Sequence, residues 1–181
     1  GEFAASFATF GGRLSRPLDF VVRALRTTGL PTGQFPLALT ANTLYQRVLS
    51  ALAVMGQVPL NWITPDGYPD VKDAWAASSA LLTRWNFSLA LAGVGSGRLG
   101  ARLVDGYSPL AETPADVATA GAFVDFWIER LLHRPMLASD RAAVLEHLAP
   151  DRSETAPLSG LADERQMATI ALVLASPYFA W

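Results

Sequence analysis

Apolar residues recur at intervals of three and four through most of this chain, and no segment of strand length alternates between apolar and polar residues. The first spacing puts apolar side chains on one face of an α-helix, whereas a half-buried strand needs a period of two. β-branched residues are also sparse beside the alanine and leucine that favour helix. The sequence therefore predicts an all-α fold, an irregular multi-helix bundle of about six to seven helices.

The predicted helices end at residues that commonly start or stop helices. We predict helices over these segments: 17–25, 39–55, 71–92 with a break near 78–79, 113–134, 139–148 and 163–175. Gly29 and Gly56 follow the first two and are the predicted C-terminal stops. Thr113 is the predicted N-cap of the fourth helix, with Pro114 in its first turn, and Ser139 is the predicted N-cap of the fifth.

A loop rich in proline and aromatic residues separates the second and third helices. Residues 57–70 contain three prolines, a Pro-Asp-Gly turn, Trp62 and Tyr68. Flexible linkers lack aromatic residues, whereas a loop stiffened by proline loses little entropy on ordering. We therefore expect a long ordered loop here.

Composition bounds the classes of function. Half of the 181 residues (51%) are hydrophobic and 17% are charged, which predicts a folded chain with a sizeable core. We assign residues 13–181 to a single helical domain and residues 1–12 to a vector-derived remnant or a poorly ordered start. The net charge of −2 and scattered arginines argue against nucleic-acid binding, and no apolar run is long enough to predict a membrane span.

Several kinds of site are excluded or disfavoured by residue content. The chain has no cysteine and only two histidines, so thiolate chemistry and a zinc site with three histidines cannot be built from it. Gly95 to Gly100 match a dinucleotide-binding glycine string, but a predicted helix rather than a strand precedes them, which favours a helix connection. We predict no metal and no cofactor.

The loop and the helix after it carry the best candidates for a ligand site, since they combine aromatic faces with polar groups. The candidate ligand-binding residues are Trp62, Asp66, Tyr68, Asp70, Trp75, Arg84, Trp85 and Asn86. The alternative for each aromatic residue is a role in core packing. No catalytic residue is assigned.

The same region carries a family resemblance. The strings are Gly56-Gln57, Pro65-Asp-Gly-Tyr-Pro-Asp70, Leu81-Leu-Thr-Arg-Trp-Asn-Phe87, Ser15-Arg-Pro-Leu-Asp-Phe-Val-Val22 and Ala175-Ser-Pro-Tyr-Phe179. Together they resemble the C-terminal part of the large bacterial proteins grouped as domain of unknown function 1800. The resemblance implies a bacterial source, a longer parent protein whose N-terminal part is a partner, and a periplasmic or exported location.

Two classes of function follow. The first is a binding or scaffolding module of a larger bacterial protein, with the 62–86 region forming a ligand groove or a contact surface. The alternative is part of a hydrolase directed at the cell envelope or a polysaccharide, which would use carboxylates in the 66–73 loop as its acid and base.

Overall fold

The computed structural model describes residues 14–30, 43–95, 102–150 and 153–181. Within these ranges the chain forms seven α-helices and three short 3₁₀ turns, and no strand, so the all-α prediction is confirmed. The helices are α1 (Pro17–Thr27), α2 (Thr43–Val54), α3 (Ser78–Ala92), α4 (Ala120–Leu132), α5 (Ala138–Leu148), α6 (Asp163–Ala175) and α7 (Pro177–Ala180). The 3₁₀ turns are Lys72–Ala74, Pro109–Glu112 and Leu158–Gly160.

Helix α6 lies at the centre of the bundle. It packs most extensively against α3, and also contacts α4, α5 and α7. Its buried side chains include Ile170, Val173 and Leu174, which are fully enclosed. A helix with apolar residues around much of its circumference is buried among others, and α6 has this pattern.

Most helix limits follow their local sequence signals. Pro17 occupies the first turn of α1, and Gly29 follows it with φ +78°. Gly56 likewise follows α2 with φ +89°, a left-handed conformation that costs glycine little. The predicted end of the last long helix at Ser176 is also confirmed.

The predicted N-cap at Thr113 is wrong. Thr113 closes the 3₁₀ turn Pro109–Glu112, and its hydroxyl accepts a hydrogen bond from Nε1 of Trp127 at 3.2 Å. The N-cap of α4 is Thr119, whose side chain accepts from the backbone N–H of Ala122. Two further N–H groups at the start of α4 donate to carbonyls of the 154–156 segment, so a tertiary contact sets this helix start.

Ser139 is also not an N-cap. It lies inside α5, whose N-cap is Leu137 without a side-chain cap. The Leu137 N–H donates instead to the hydroxyl of Tyr178 at 3.1 Å, which is again a contact between distant parts of the chain.

Some predictions fall beyond the described ranges or need only a boundary change. Residues 1–12, 39–42 and 96–100, which include most of the glycine string, lie outside the described residues. The predicted helix over 71–92 is wrong over its first seven residues, which contain only the 3₁₀ turn Lys72–Ala74. Helix α3 begins at Ser78, so the predicted break near 78–79 is the helix start. Among the helices that the structure describes, none is both long and apolar enough to cross a membrane.

Candidate functional site

Three of the candidate aromatic residues form one cluster of tilted rings. The ring of Tyr68 lies 4.7 Å from that of Trp62 and 6.0 Å from that of Trp75, measured between centroids. The Tyr68 hydroxyl donates to the carbonyl of Val58 at 2.7 Å and accepts from its N–H at 3.1 Å. Trp75 is 3% exposed and donates to the carbonyl of Pro69. The ring cluster closes the loop on itself, and Trp75 anchors it in a small buried cluster with Leu14 and Ala180.

The two carboxylates of this loop are engaged in local contacts. Asp66 accepts hydrogen bonds from the hydroxyl of Thr64 and from Nε1 of Trp62, and these bonds lower the pKa of Asp66 below its usual range. Asp70 forms an ion pair with Arg16, with Nε 3.5 Å from Oδ1. A general acid needs a raised pKa, so the geometry of Asp66 favours a turn-stabilising role over an acid role.

The remaining candidates lie on α3 and face different ways. Arg84 is 2% exposed and points into the molecule, where its Nη2 donates to the carbonyl of Ser15. Trp85 is 53% exposed, and Asn86 is exposed as well. Neighbouring positions on a helix point about 100° apart, so one ligand cannot be expected to contact all three. The eight candidate residues therefore do not form a single site.

Trp85 instead lines an apolar groove that the sequence did not predict. Helix α6 forms the floor of the groove, and α3 and α5 form its two walls, enclosing about 710 Å³. The groove is lined by Trp85, Leu89, Met136, Asp140, Ala143, Val144, His147, Ala168, Ala171, Leu172, Ala175, Ser176, Pro177 and Tyr178. This volume lies within the range of about 300–1,000 Å³ typical of ligand pockets.

The floor of the groove is made of small residues. Ala168, Ala171 and Ala175 follow one another at i, i+3 and i+7 on α6, and Leu172, 41% exposed, lies beside them. The spacing of these alanines is visible in the sequence, but it is also the spacing of an ordinary buried helix face. Only the positions of α3 and α5 show that this face is partly open: Ala171 is fully buried, but Ala168 and Ala175 are half-buried.

One end of the groove is polar. The Tyr178 hydroxyl donates to Oδ2 of Asp140 at 2.6 Å, and this bond raises the pKa of Tyr178. Asp140 is the one acidic side chain in the lining, and no arginine or lysine lines the groove within the described residues. The guanidinium carbon of Arg134 lies 5.5 Å from the centroid of the Tyr178 ring. Arg134 lines a separate shallow pocket, not the groove.

Trp85 lies toward this acidic end. A Cβ added to Gly93, just after α3, would lie 3.6 Å from Sδ of Met167 near the start of α6. Leu81, near the start of α3, packs against the cluster that contains Ala180, just after α6. The two helices are therefore antiparallel, and the earlier residues of α3 approach the end of α6 where Asp140 and Tyr178 meet. An aromatic face and a carboxylate thus lie at the same end of the groove.

The described residues show no group of three histidine, aspartate or glutamate side chains able to hold a metal ion. The fold and the groove define an all-helical protein with a partly open apolar groove. The chain belongs to the family described as protein of unknown function DUF1800, whose match covers residues 1–181. No curated protein and no solved structure matched the chain.

Proposed function

We propose that this chain is a binding module whose groove between α3, α5 and α6 accepts the apolar face of an amphipathic helix. The observation that carries the proposal is the apolar groove of about 710 Å³, along which Trp85, Leu89 and Leu172 are exposed. Contiguous exposed apolar surface of this kind marks interaction sites in proteins.

The shape of the groove supports a helix as its occupant. Its floor extends from Ala168 to Ala175, two turns or about 10 Å along α6. Small floor residues allow another backbone to approach closely, and packed helices lie about 8–10 Å apart. An amphipathic helix that binds in a groove contacts it through residues spaced at i, i+3, i+4 and i+7, which matches a trough of this length.

The charge of the groove supports a cationic residue on that helix. Asp140 has no ion-pair partner lining the groove, and the rings of Trp85 and Tyr178 lie at the same end. A lysine or arginine there would meet both a carboxylate and aromatic faces, and both interactions favour a cation.

The resemblance to the C-terminal part of larger proteins supports the N-terminal part of a longer parent protein as the source of the helix. A bacterial parent exported from the cytoplasm stays a prediction from the same resemblance. The hydrolase alternative gains no support from Asp66 and Asp70, whose contacts are those of turn and ion-pair residues.

The test is a set of overlapping 20-residue peptides covering the N-terminal part of the parent protein, titrated into the purified chain by calorimetry. We expect a peptide with an apolar helical face and a lysine or arginine to bind. Leu172→Glu should abolish binding, because it places a charge in the apolar floor. Val54→Glu is the matched control, since Val54 is a similarly exposed apolar residue (47%) on α2, outside the groove.

Asp140→Asn tests the charge. It should weaken the binding peptide roughly fivefold, the equivalent of about 1 kcal/mol for one partly exposed charge pair. Failure of every peptide to bind, or equal binding by the Leu172→Glu variant, would contradict the proposal.

A further inference from the structure

Two arginines from different helices converge on one residue just before α1. Nη2 of Arg84 donates to the backbone carbonyl of Ser15 at 2.6 Å, and Nη2 of Arg23 donates to the Ser15 hydroxyl at 3.4 Å. The Ser15 N–H is itself bonded to the carbonyl of Ala180 at 2.8 Å, which fixes this segment against α7. Both guanidinium groups therefore donate to the same residue, Ser15, whose backbone is fixed by its bond to Ala180.

Aromatic rings support both arginines. The guanidinium of Arg84 lies 5.2 Å from the centroid of Phe20, and that of Arg23 lies 4.2 Å from the centroid of Phe179. The two rings contact each other edge to face at 5.4 Å. These contacts orient the guanidinium groups, but a ring accepts none of the conventional hydrogen bonds that their N–H groups offer.

Several of those N–H groups have no partner. Nε and Nη1 of Arg84 and Nε of Arg23 are buried without a hydrogen bond. Among the described residues, no carboxylate lies within ion-pair distance of either arginine, whereas nearby Arg16 pairs with Asp19 and Asp70. Buried unpaired charge is costly, and orphaned donors of this kind in a folded protein indicate a missing partner.

The electrostatics agree with the geometry. Burial, reinforced by the nearby charge of Arg23, lowers the pKa of Arg84 to about 10. Burial and then Arg134 lower the pKa of Arg23, and Asp19 opposes this only as the weakest of its influences. The site thus holds an excess of positive charge that its own acidic residues do not balance.

We propose that Arg84 and Arg23, together with the Ser15 hydroxyl, bind a phosphate group, either as the free ion or as a phosphomonoester. A phosphate carries about −1.5 to −2 charges at neutral pH, which matches two uncompensated arginines better than a single carboxylate does. Its oxygens accept several charge-assisted hydrogen bonds at once, as many as the unpaired donors require. Arg23 is half-buried whereas Arg84 is 2% exposed, so an ion arriving from solvent would meet Arg23 first. The proposal is independent of the groove, which Arg84 and Arg23 do not line.

Thermal unfolding with and without inorganic phosphate tests the site, with sodium chloride at equal ionic strength as the reference. At about 100 times the dissociation constant, we expect phosphate to raise the Tm of the wild-type chain by about 5–10 °C. Arg84→Met and Arg23→Met should both lose this rise. Arg26→Met is the matched control, since Arg26 is an exposed arginine on the same helix as Arg23, and it should keep the rise.

The same measurement with other anions identifies which ligand the site binds. A rise of similar size with glycerol 3-phosphate supports binding of a phosphomonoester, and a rise with inorganic phosphate alone supports the free ion. An equal rise with acetate would overturn the assignment to phosphate. If Arg84→Met does not fold, calorimetric titration of phosphate into the Arg23→Met variant and the wild type still tests the proposal. Undiminished phosphate binding by Arg23→Met would overturn the site. Absence of phosphate binding by the wild type would overturn it as well.

Discussion

Replacing Gly29 by alanine should destabilise the fold more than the same change at a glycine of equal conformation in open space. Gly29 follows α1 with φ +78°, and an added Cβ would lie 2.6 Å from Cγ of Glu112. The carboxylate of Glu112 pairs with Nη2 of Arg130 at 2.6 Å, and Nε of Arg130 donates to the carbonyl of Thr27 at 2.8 Å. The substitution therefore disturbs both the backbone after α1 and the side chains that tie α1 to α4.

Two contributions set the magnitude. A left-handed conformation costs a residue with a Cβ about 1–2 kcal/mol. Displacing Glu112 adds the loss of its pair with Arg130, worth about 0.2–1 kcal/mol because both side chains are about one third exposed. We expect Gly29→Ala to lower the free energy of unfolding by about 2 kcal/mol, or a Tm decrease of roughly 4–8 °C for a chain of this size.

Urea denaturation followed by circular dichroism measures the effect, with Gly106→Ala as the matched control. Gly106 has φ +75° and nothing within 4 Å of an added Cβ, so it should show the conformational cost alone. In a Glu112→Ala background the excess cost of Gly29→Ala should disappear, because the side chain it displaces is gone. Equal destabilisation by the two glycine substitutions, or an unchanged excess without Glu112, would refute the reasoning.

Three further predictions concern single contacts. Thr113→Val should cost about 1–3 kcal/mol by denaturant unfolding, because it leaves the buried N–H of Trp127 without an acceptor, and the cost should vanish in a Trp127→Phe background. Thr64→Val should raise the pKa of Asp66 in an NMR titration; in the wild type, the stabilisation linked to Asp66 is present above its usual pKa and is lost as the pH falls through the lowered pKa. Arg141→Met should cost at most about 1 kcal/mol, since its two carboxylate partners, each 2.6 Å away, are more than half exposed, and the cost should shrink at about 1 M salt.

The sequence predicted features that depend on neighbouring residues. The start of α1 at Pro17, the glycines after α1 and α2, and the limits of α6 are set by residues within a turn of the helix end. Capping residues and left-handed glycines act over this short range, so their effect can be inferred without knowing the fold.

The errors share one cause. Thr113 has the local signature of an N-cap, but α4 begins at Thr119, because the preceding segment binds Trp127 and the 154–156 segment pairs with the start of the helix. Ser139 has the same signature, yet it lies inside α5, whose N-cap is Leu137. The Leu137 N–H donates to the hydroxyl of Tyr178. Tertiary hydrogen bonds took over the role that the local motif predicts.

At the candidate site, too, the sequence determined some features and the tertiary structure determined others. Sequence alone determined that Trp62 and Tyr68 belong to an ordered loop and that this is an all-helical chain, because proline, aromatic and helical spacing are local properties. The predicted helix over 71–92 was wrong at Trp75, which follows the 3₁₀ turn Lys72–Ala74. Only the tertiary structure decided that Trp85 faces an open groove while Arg84, one position earlier, faces Ser15. Which face of a helix stays uncovered depends on how distant helices pack around it, and the apolar spacing of a covered face and an open one is the same.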